Sequence, residues 1–325
     1  ARSLARRGAN RSAVRVLDSI DGIVGYDPRR TALRASIMRR EGRVGEAASL
    51  VATALAVDPL DATLRALAGR PGVGDGGLLV DIALDLKSYG ALETALETLA
   101  QAVDAPITSA GNYRPIARYL AAEICDELGN FDSAELQRSK ARREPLDYAF
   151  PAGLDALGAL DAALRAAPDD SAAHALRGTL LYDLGRHLDA CQAWETAVAL
   201  GQQDPVLLRN TALAAYNVRR ADQQAWSLYE SAVRAAPNDG RLRYEQDQLA
   251  IRLGHTPQDR LAALSAFEDL ALSRDDFAIE YVWLLLANQR PQAALAVLTD
   301  RCFHPWEGGE GRALAAWDAT CAALG

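Results

Sequence analysis

Apolar residues recur at helical spacing along almost the whole chain, and no stretch of useful length alternates as a half-buried strand would. The pattern predicts helices in couples: 29–41 with 44–57, 77–88 with 91–103, 113–128 with 131–143, and 171–184 with 187–199. The couples continue as 206–218 with 222–235, 241–253 with 258–267, and 277–288 with 291–299. A single extra helix is expected up to about Ala166, and an amphipathic one over 312–324. The fold class expected from this pattern is all-α.

Small residues recur at fixed offsets inside the couples, at a period of about 34 residues. After Gly42 come Ala47, Val51, Ala54 and Pro59; after Gly185 come Ala190, Trp194 and Ala197 with the same first offsets. Gly90, Ala95, Leu99 and Ala102 fit as well, and Ala225, Tyr229, Ala232 and Pro237 keep the spacing from alanine to proline. Gly129, Ala134 and Ala141 follow it, with Arg138 standing where a large apolar residue is expected. The glycine lets the backbone turn with positive φ. The first alanine marks the closest approach of the two helices, and the large residue fills the groove between them. The second alanine lies on the same face. The proline ends the second helix, and Asp27-Pro28, Asp58-Pro59 and Asp204-Pro205 punctuate the units.

These residues resemble the tetratricopeptide repeat family. The run from Ser171 to Gly178, followed by Leu181, is similar to the family's first helix, with Gly178 at its small position and His174 where a Trp is usual. The resemblance implies an α-α superhelical solenoid of helix-turn-helix repeats, in which each unit hides its apolar face against its neighbour. It also implies a concave face that binds proteins.

Two interruptions suggest a division into 1–68, 69–144 and 145–325. The first is the glycine-rich joint from Gly69 to Gly77, which lacks the GK[ST] ending of a phosphate-cradling loop. The second is Glu144-Pro145-Leu146-Asp147-Tyr148-Ala149-Phe150-Pro151, where prolines bracket an aromatic turn. That turn, the run from Arg241 to Leu249 and the run from Phe303 to Gly311 occur in order. They are similar to the C-terminal repeat region of large, mostly bacterial proteins with an N-terminal β-rich domain of unknown function. The resemblance implies a fragment of such a protein and a carbohydrate context.

The face of the first helices, extended by the period, carries Tyr182, Asp183, Arg209, Tyr216, Asn217, Glu245, Arg252, Tyr281 and Asn288. Mixed charges with tyrosines suit a peptide or protein surface, and Arg209–Glu245 is a possible internal pair. The family's chaperone-tail clamp needs lysines in this groove; Arg209, Asn210 and Asn217 are present, but the only lysines are Lys87 and Lys140. The loop with His304, Trp306, Glu307 and Glu310 pairs a Trp with two carboxylates, as a sugar-stacking or acid–base site would. A structural role suits it equally, with Trp306 plugging the last repeat and Glu310 opening the terminal helix. His174, His187 and His255 are scattered, and no catalytic constellation follows from the spacing.

Charge narrows the partners. A net charge of −8 and a pI of about 5.2 argue against nucleic acid and anionic membrane surfaces. The cluster Arg138, Lys140, Arg142, Arg143 is expected to be a solvated helix face. Cys125, Cys191, Cys302 and Cys321 lack metal-ligand spacing and are expected as buried free thiols in a reducing compartment. With no apolar run long enough for a bilayer, a bacterial cytoplasmic location is expected, although sequence upstream of Ala1 could carry an export signal. The expected function is a non-catalytic binding scaffold for a protein, a peptide or an upstream domain of the same chain, without cofactor or metal. The alternative is the accessory C-terminal region of a carbohydrate-active or carbohydrate-binding multidomain protein.

Overall fold

The computed structural model describes residues 1–21, 23, 25–70, 74–304, 309 and 311–325, with Arg6 described by its backbone alone. The described residues form helices and turns; their only β feature is an isolated bridge between Thr108 and Gly111. Two compact units divide the chain, Ala1–Gly201 and Gln202–Gly325.

The first unit begins with α1 (Arg2–Arg6), α2 (Asn10–Asp21), α3 (Pro28–Arg40), α4 (Val44–Val57) and α5 (Ala62–Leu67). It continues with α6 (Gly76–Tyr89), α7 (Leu92–Asp104), α8 (Arg114–Glu127) and α9 (Phe131–Ala141). It closes with α10 (Gly153–Ala166), α11 (Ser171–Asp183) and α12 (His187–Ala199). The second unit holds α13 (Pro205–Ala214), a π-helical turn (Ala215–Arg219), α14 (Asp222–Ala235), α15 (Gly240–Arg252) and α16 (Pro257–Leu264). A 3-10 turn (Ser265–Phe267), α17 (Glu268–Ala271), α18 (Asp275–Ala287), α19 (Pro291–Thr299) and α20 (Arg312–Leu324) complete it.

Local chemistry sets where the first helices begin. Asp27, Asp170 and Asp204 each accept a hydrogen bond from a first-turn backbone N–H, at 2.9, 3.0 and 2.8 Å. Each such cap is worth about 1 kcal/mol. Pro28 and Pro205 occupy the first helical position, where a missing N–H costs nothing. At the other end, Gly42, Gly90, Gly185 and Gly254 take positive φ in the turn to the next helix.

The couples α3/α4, α6/α7, α8/α9, α11/α12, α13/α14 and α18/α19 pack together, and α7 also packs on α8. The first alanines of the pattern, Ala47, Ala95, Ala134, Ala190 and Ala225, are all fully buried, as are Ala141, Ala197 and Ala232 at the second position. Arg138, in the large-apolar place, is buried too. It spans to Asp126 at 2.8 Å and Glu135 at 3.0 Å, so the groove is filled by a neutralised ion pair in place of an apolar side chain.

Several expectations are corrected. Gly76 and Gly77, at the end of the glycine-rich run, open α6 one residue before the predicted start at 77, capped by Asp75. Their missing side chains make room for Tyr113, since a Cβ on Gly77 would lie 2.8 Å from its ring. The predicted couple of 241–253 with 258–267 forms with a broken second helix, and Arg260 on α16 reaches Asp247 on α15 at 2.6 Å. The second helix stops at Leu264, where the Ser265 hydroxyl bonds the Ala262 carbonyl, and α16 packs on α18 while α15 packs on α14 and α17. Arg138 and Arg142 are not simply solvated, because Arg142 reaches Asp170 at 3.1 Å and Glu135 at 3.1 Å. Cys125 and Cys191 are buried, but Cys302 and Cys321 are exposed, and none of the four is in a disulfide. Helices α1, α2 and α5 fall outside the predicted couples, and α10, the expected extra helix, packs between α8 and α11.

Candidate binding face

Two first helices of the second unit, α13 and α15, meet through a single carboxylate. Arg209 on α13 donates from Nε and Nη2 to both oxygens of Glu245 on α15, at 2.5 and 2.6 Å. Arg241 adds a bond at 3.0 Å, and the hydroxyl of buried Tyr229 on α14 donates at 3.2 Å. Burial pushes the Glu245 carboxyl pKa up, but Arg209 and Arg241 outweigh it and leave the group below its ordinary range. The bond to Glu245 raises the Arg209 pKa against the opposing effect of burial. Burial, then the neighbouring Glu245 charge, raises the Tyr229 phenol. Arg209 and Glu245 are thereby occupied in tying three helices together. Tyr229 is the member of this node that the sequence reading left out, as a core residue of the repeat pattern.

Tyr216 and Asn217 sit on the π-helical turn. In α3, α6, α11, α15 and α18 the positive-φ residue lies 14 positions after the first helical residue; it lies 15 on in α8, at Gly129, and in α13, at Arg220. In α13 a π-helical turn takes up the longer span, which α8 covers with regular helix. The Arg252 guanidinium from α15 lies 5.8 Å from the centre of the Tyr216 ring, within cation–π range. Asn217 and Arg252 are exposed and Tyr216 is half-buried. The side chain of Asn217 makes no hydrogen bond to a described residue.

The remaining candidates are scattered. Tyr281 is buried in the core of the second unit, where burial and then Glu268 raise its phenol pKa. Asn288 ends α18 and donates to the carbonyls of Pro257 (3.0 Å) and Leu284 (2.8 Å). In the first unit, Tyr182 and Asp183 are exposed, and Tyr182 stacks between His187 (4.5 Å) and Trp194 (5.4 Å). His304 donates its backbone N–H to Asp275 at 3.0 Å. Trp306, Glu307 and Glu310 lie outside the described residues. Lys87, one of the two lysines, pairs with Glu123 at 2.5 Å across α6 and α8, 36 positions apart like Arg209 and Glu245. That recurrence was the available signal for a charge pair between successive first helices. Among the described residues no group of three His, Cys, Asp or Glu could hold a metal ion, and no helix is long and apolar enough to cross a membrane.

The repeat type is decided at Gly178. A Cβ there would stand 2.4 Å from Trp194 Cδ1, so the first helix has a small residue where the second presses its largest side chain. The fold is a tetratricopeptide-like α-α solenoid. No protein-family model matches the chain. Solved structures similar to it include YrrB, described as a TPR protein with an unusual peptide-binding site. That chain is 15% identical, with 70% of this chain and 97% of the other covered and a TM-score of 0.41. The C-terminal part of a TPR repeat-containing protein from Cytophaga hutchinsonii is 13% identical over 89% and 93%, with a TM-score of 0.36. A tetratricopeptide repeat protein from Parabacteroides merdae is 14% identical over 91% and 98%, with a TM-score of 0.34. In the tetratricopeptide-like frame of this chain, Tyr216 and Arg252 belong to successive first helices, and Asn217 stands beside them.

Proposed function

We propose that the chain is a protein-binding scaffold, and that Tyr216, Asn217 and Arg252 receive an extended peptide from a partner or from another part of the same polypeptide. The observation that carries this reading is the π-helical turn. It places a half-buried aromatic ring under an exposed guanidinium and leaves an unbonded amide next to it. A Tyr–Arg pair offers a large, rigid contact area, and the amide of Asn217 can donate to and accept from a peptide backbone. Arg209 and Glu245 act differently, holding the helices in register beneath that face.

The test is selection of displayed random peptides on the immobilised chain, followed by titration of the recovered peptides against variants. Tyr216→Ala, Asn217→Ala and Arg252→Ala should each weaken binding by about 5- to 30-fold, equivalent to about 1–2 kcal/mol. Recovery of peptides whose affinity ignores all three changes would move the binding face elsewhere.

A further inference from the structure

The run from Arg241 to Leu249 is built from partnered side chains. Arg241 bonds Glu245, Asp247 takes both Nε and Nη2 of Arg260 at 2.8 and 2.6 Å, and Tyr244 meets Phe277 edge-on with centroids 5.5 Å apart. Arg243 is different. It is half-buried, its guanidinium lies 3.6 Å from the centre of the Phe267 ring, and its Nε is inaccessible to solvent with no hydrogen-bond partner. No ion pair to a described residue neutralises it, and burial alone pulls its pKa below the ordinary value.

Three features oppose a positive charge at this place. The group is partly desolvated, it has no counter-charge among the described residues, and it stands in the first turn of α15, at the positive end of a 13-residue helix. The same three features favour an anion brought to it. Phe267 supports the planar fork from one side, which fixes its orientation before any ligand arrives. The buried Nε–H is out of a ligand's reach, which leaves the terminal Nη1 and Nη2 hydrogens, without a hydrogen-bond partner among the described residues, as the donors open to an anion. A guanidinium presented in this way matches two coplanar oxygens, as a carboxylate provides.

We infer that Arg243, stacked on Phe267, is an anion site of the second unit that takes a carboxylate. It lies on the side of α15 that faces the 3-10 turn, away from the Arg209–Glu245 node, and does not depend on the peptide face proposed above.

The experiment uses the full chain and two probes, sodium acetate and sodium phosphate, at constant ionic strength set with sodium chloride. The Nε–H signal of Arg243 and the backbone N–H of Phe267 are followed by NMR. Acetate should shift both saturably, with half-saturation on the order of 10 mM for so small a ligand. Phe267→Ala should raise that concentration about 3-fold. Arg243→Lys should abolish the saturable shift of the Phe267 amide, and the exposed Arg165 should show none. Arg243→Met keeps the packing of the stem and removes the charge; it should fold with a urea midpoint at or above that of the parent and show no acetate response. A shift that grows linearly and equally at Arg165, or a spectrum unmoved at 100 mM acetate, overturns the site. So does an Arg243→Met protein that is markedly less stable, because the guanidinium would then serve packing. Phosphate saturating at a tenfold lower concentration than acetate overturns the assignment to a carboxylate.

Discussion

Replacing Gly178 with alanine adds one methyl group where α11 leaves room for the Trp194 ring of α12. Gly178 has ordinary helical geometry, so the backbone itself gains about 1 kcal/mol from the change. Packing acts in the opposite direction. The new Cβ would lie 2.4, 2.5 and 2.9 Å from Cδ1, Nε1 and Cγ of Trp194. Ordinary carbon contacts sit at about 3.5–4.0 Å, so the ring must retreat by roughly 1 Å. Trp194 is only 3% exposed, and its Nε1–H donates to the Ala175 carbonyl at 3.2 Å. Retreat weakens that bond, worth about 1 kcal/mol, and overpacking costs about 1–3 kcal/mol. The expected net loss is about 1–3 kcal/mol. Gly158, in α10, is the control: the nearest atom to its added Cβ is Glu123 Oε1 at 3.9 Å. Gly158→Ala should therefore stabilise by about 0.5–1 kcal/mol. Urea unfolding followed by circular dichroism measures both. With a slope of about 2 kcal/mol/M, the two midpoints should separate by about 1–2 M, in opposite directions from the parent. A Gly178→Ala midpoint above the parent's would refute the close approach.

Three further outcomes are expected. Glu245 has a folded pKa below its unfolded value of about 4.3, so the stability it confers is present above that pH and lost as pH falls through the folded pKa. Acid titration of the second unit's unfolding should show this loss below about pH 4.3, and Glu245→Gln should lower stability near neutrality while flattening the acid limb. Arg220 holds φ 57° where α3, α6, α8, α11 and α15 are followed by glycine, and Arg220→Gly should raise stability by about 0.5–1 kcal/mol in the same urea assay. Buried Asn112 donates Nδ2–H to the Pro145 carbonyl at 2.7 Å, and its backbone N–H bonds the Tyr148 carbonyl at 2.8 Å. Asn112→Ala should cost about 1–3 kcal/mol and speed proteolysis between Pro145 and Pro151.

Helix spacing was legible because it is a local property of small residues. Ala47, Ala95 and Ala190 mark buried contacts from sequence alone, and the observed bounds of α4 and α12 match the predicted ones. The π-helical turn was not legible, since 206–218 reads as an unbroken helix and one extra residue leaves the apolar stripe nearly unchanged. Tyr281 was placed on the ligand face by extending a register. In α18 that register meets the apolar core that includes Phe277, and the tyrosine turns inward. Gly76 and Gly77 read as the end of a glycine-rich joint because sequence cannot distinguish a glycine needed for rotation from one needed for space. Arg243 gave no sign of its isolation, because counter-charges are a property of neighbours brought together from distant positions.

The π-helical turn has a bearing on how such arrays change length. An additional residue placed anywhere in α13 would rotate everything beyond it by about 100° if the spiral stayed regular. Here the surplus is taken up within one widened coil, and Ala225 and Tyr229 still arrive at their buried stations. Growth by single residues is thereby made harmless downstream, and the coil that takes up the surplus becomes the place where the outer surface can vary while the interior stays unchanged.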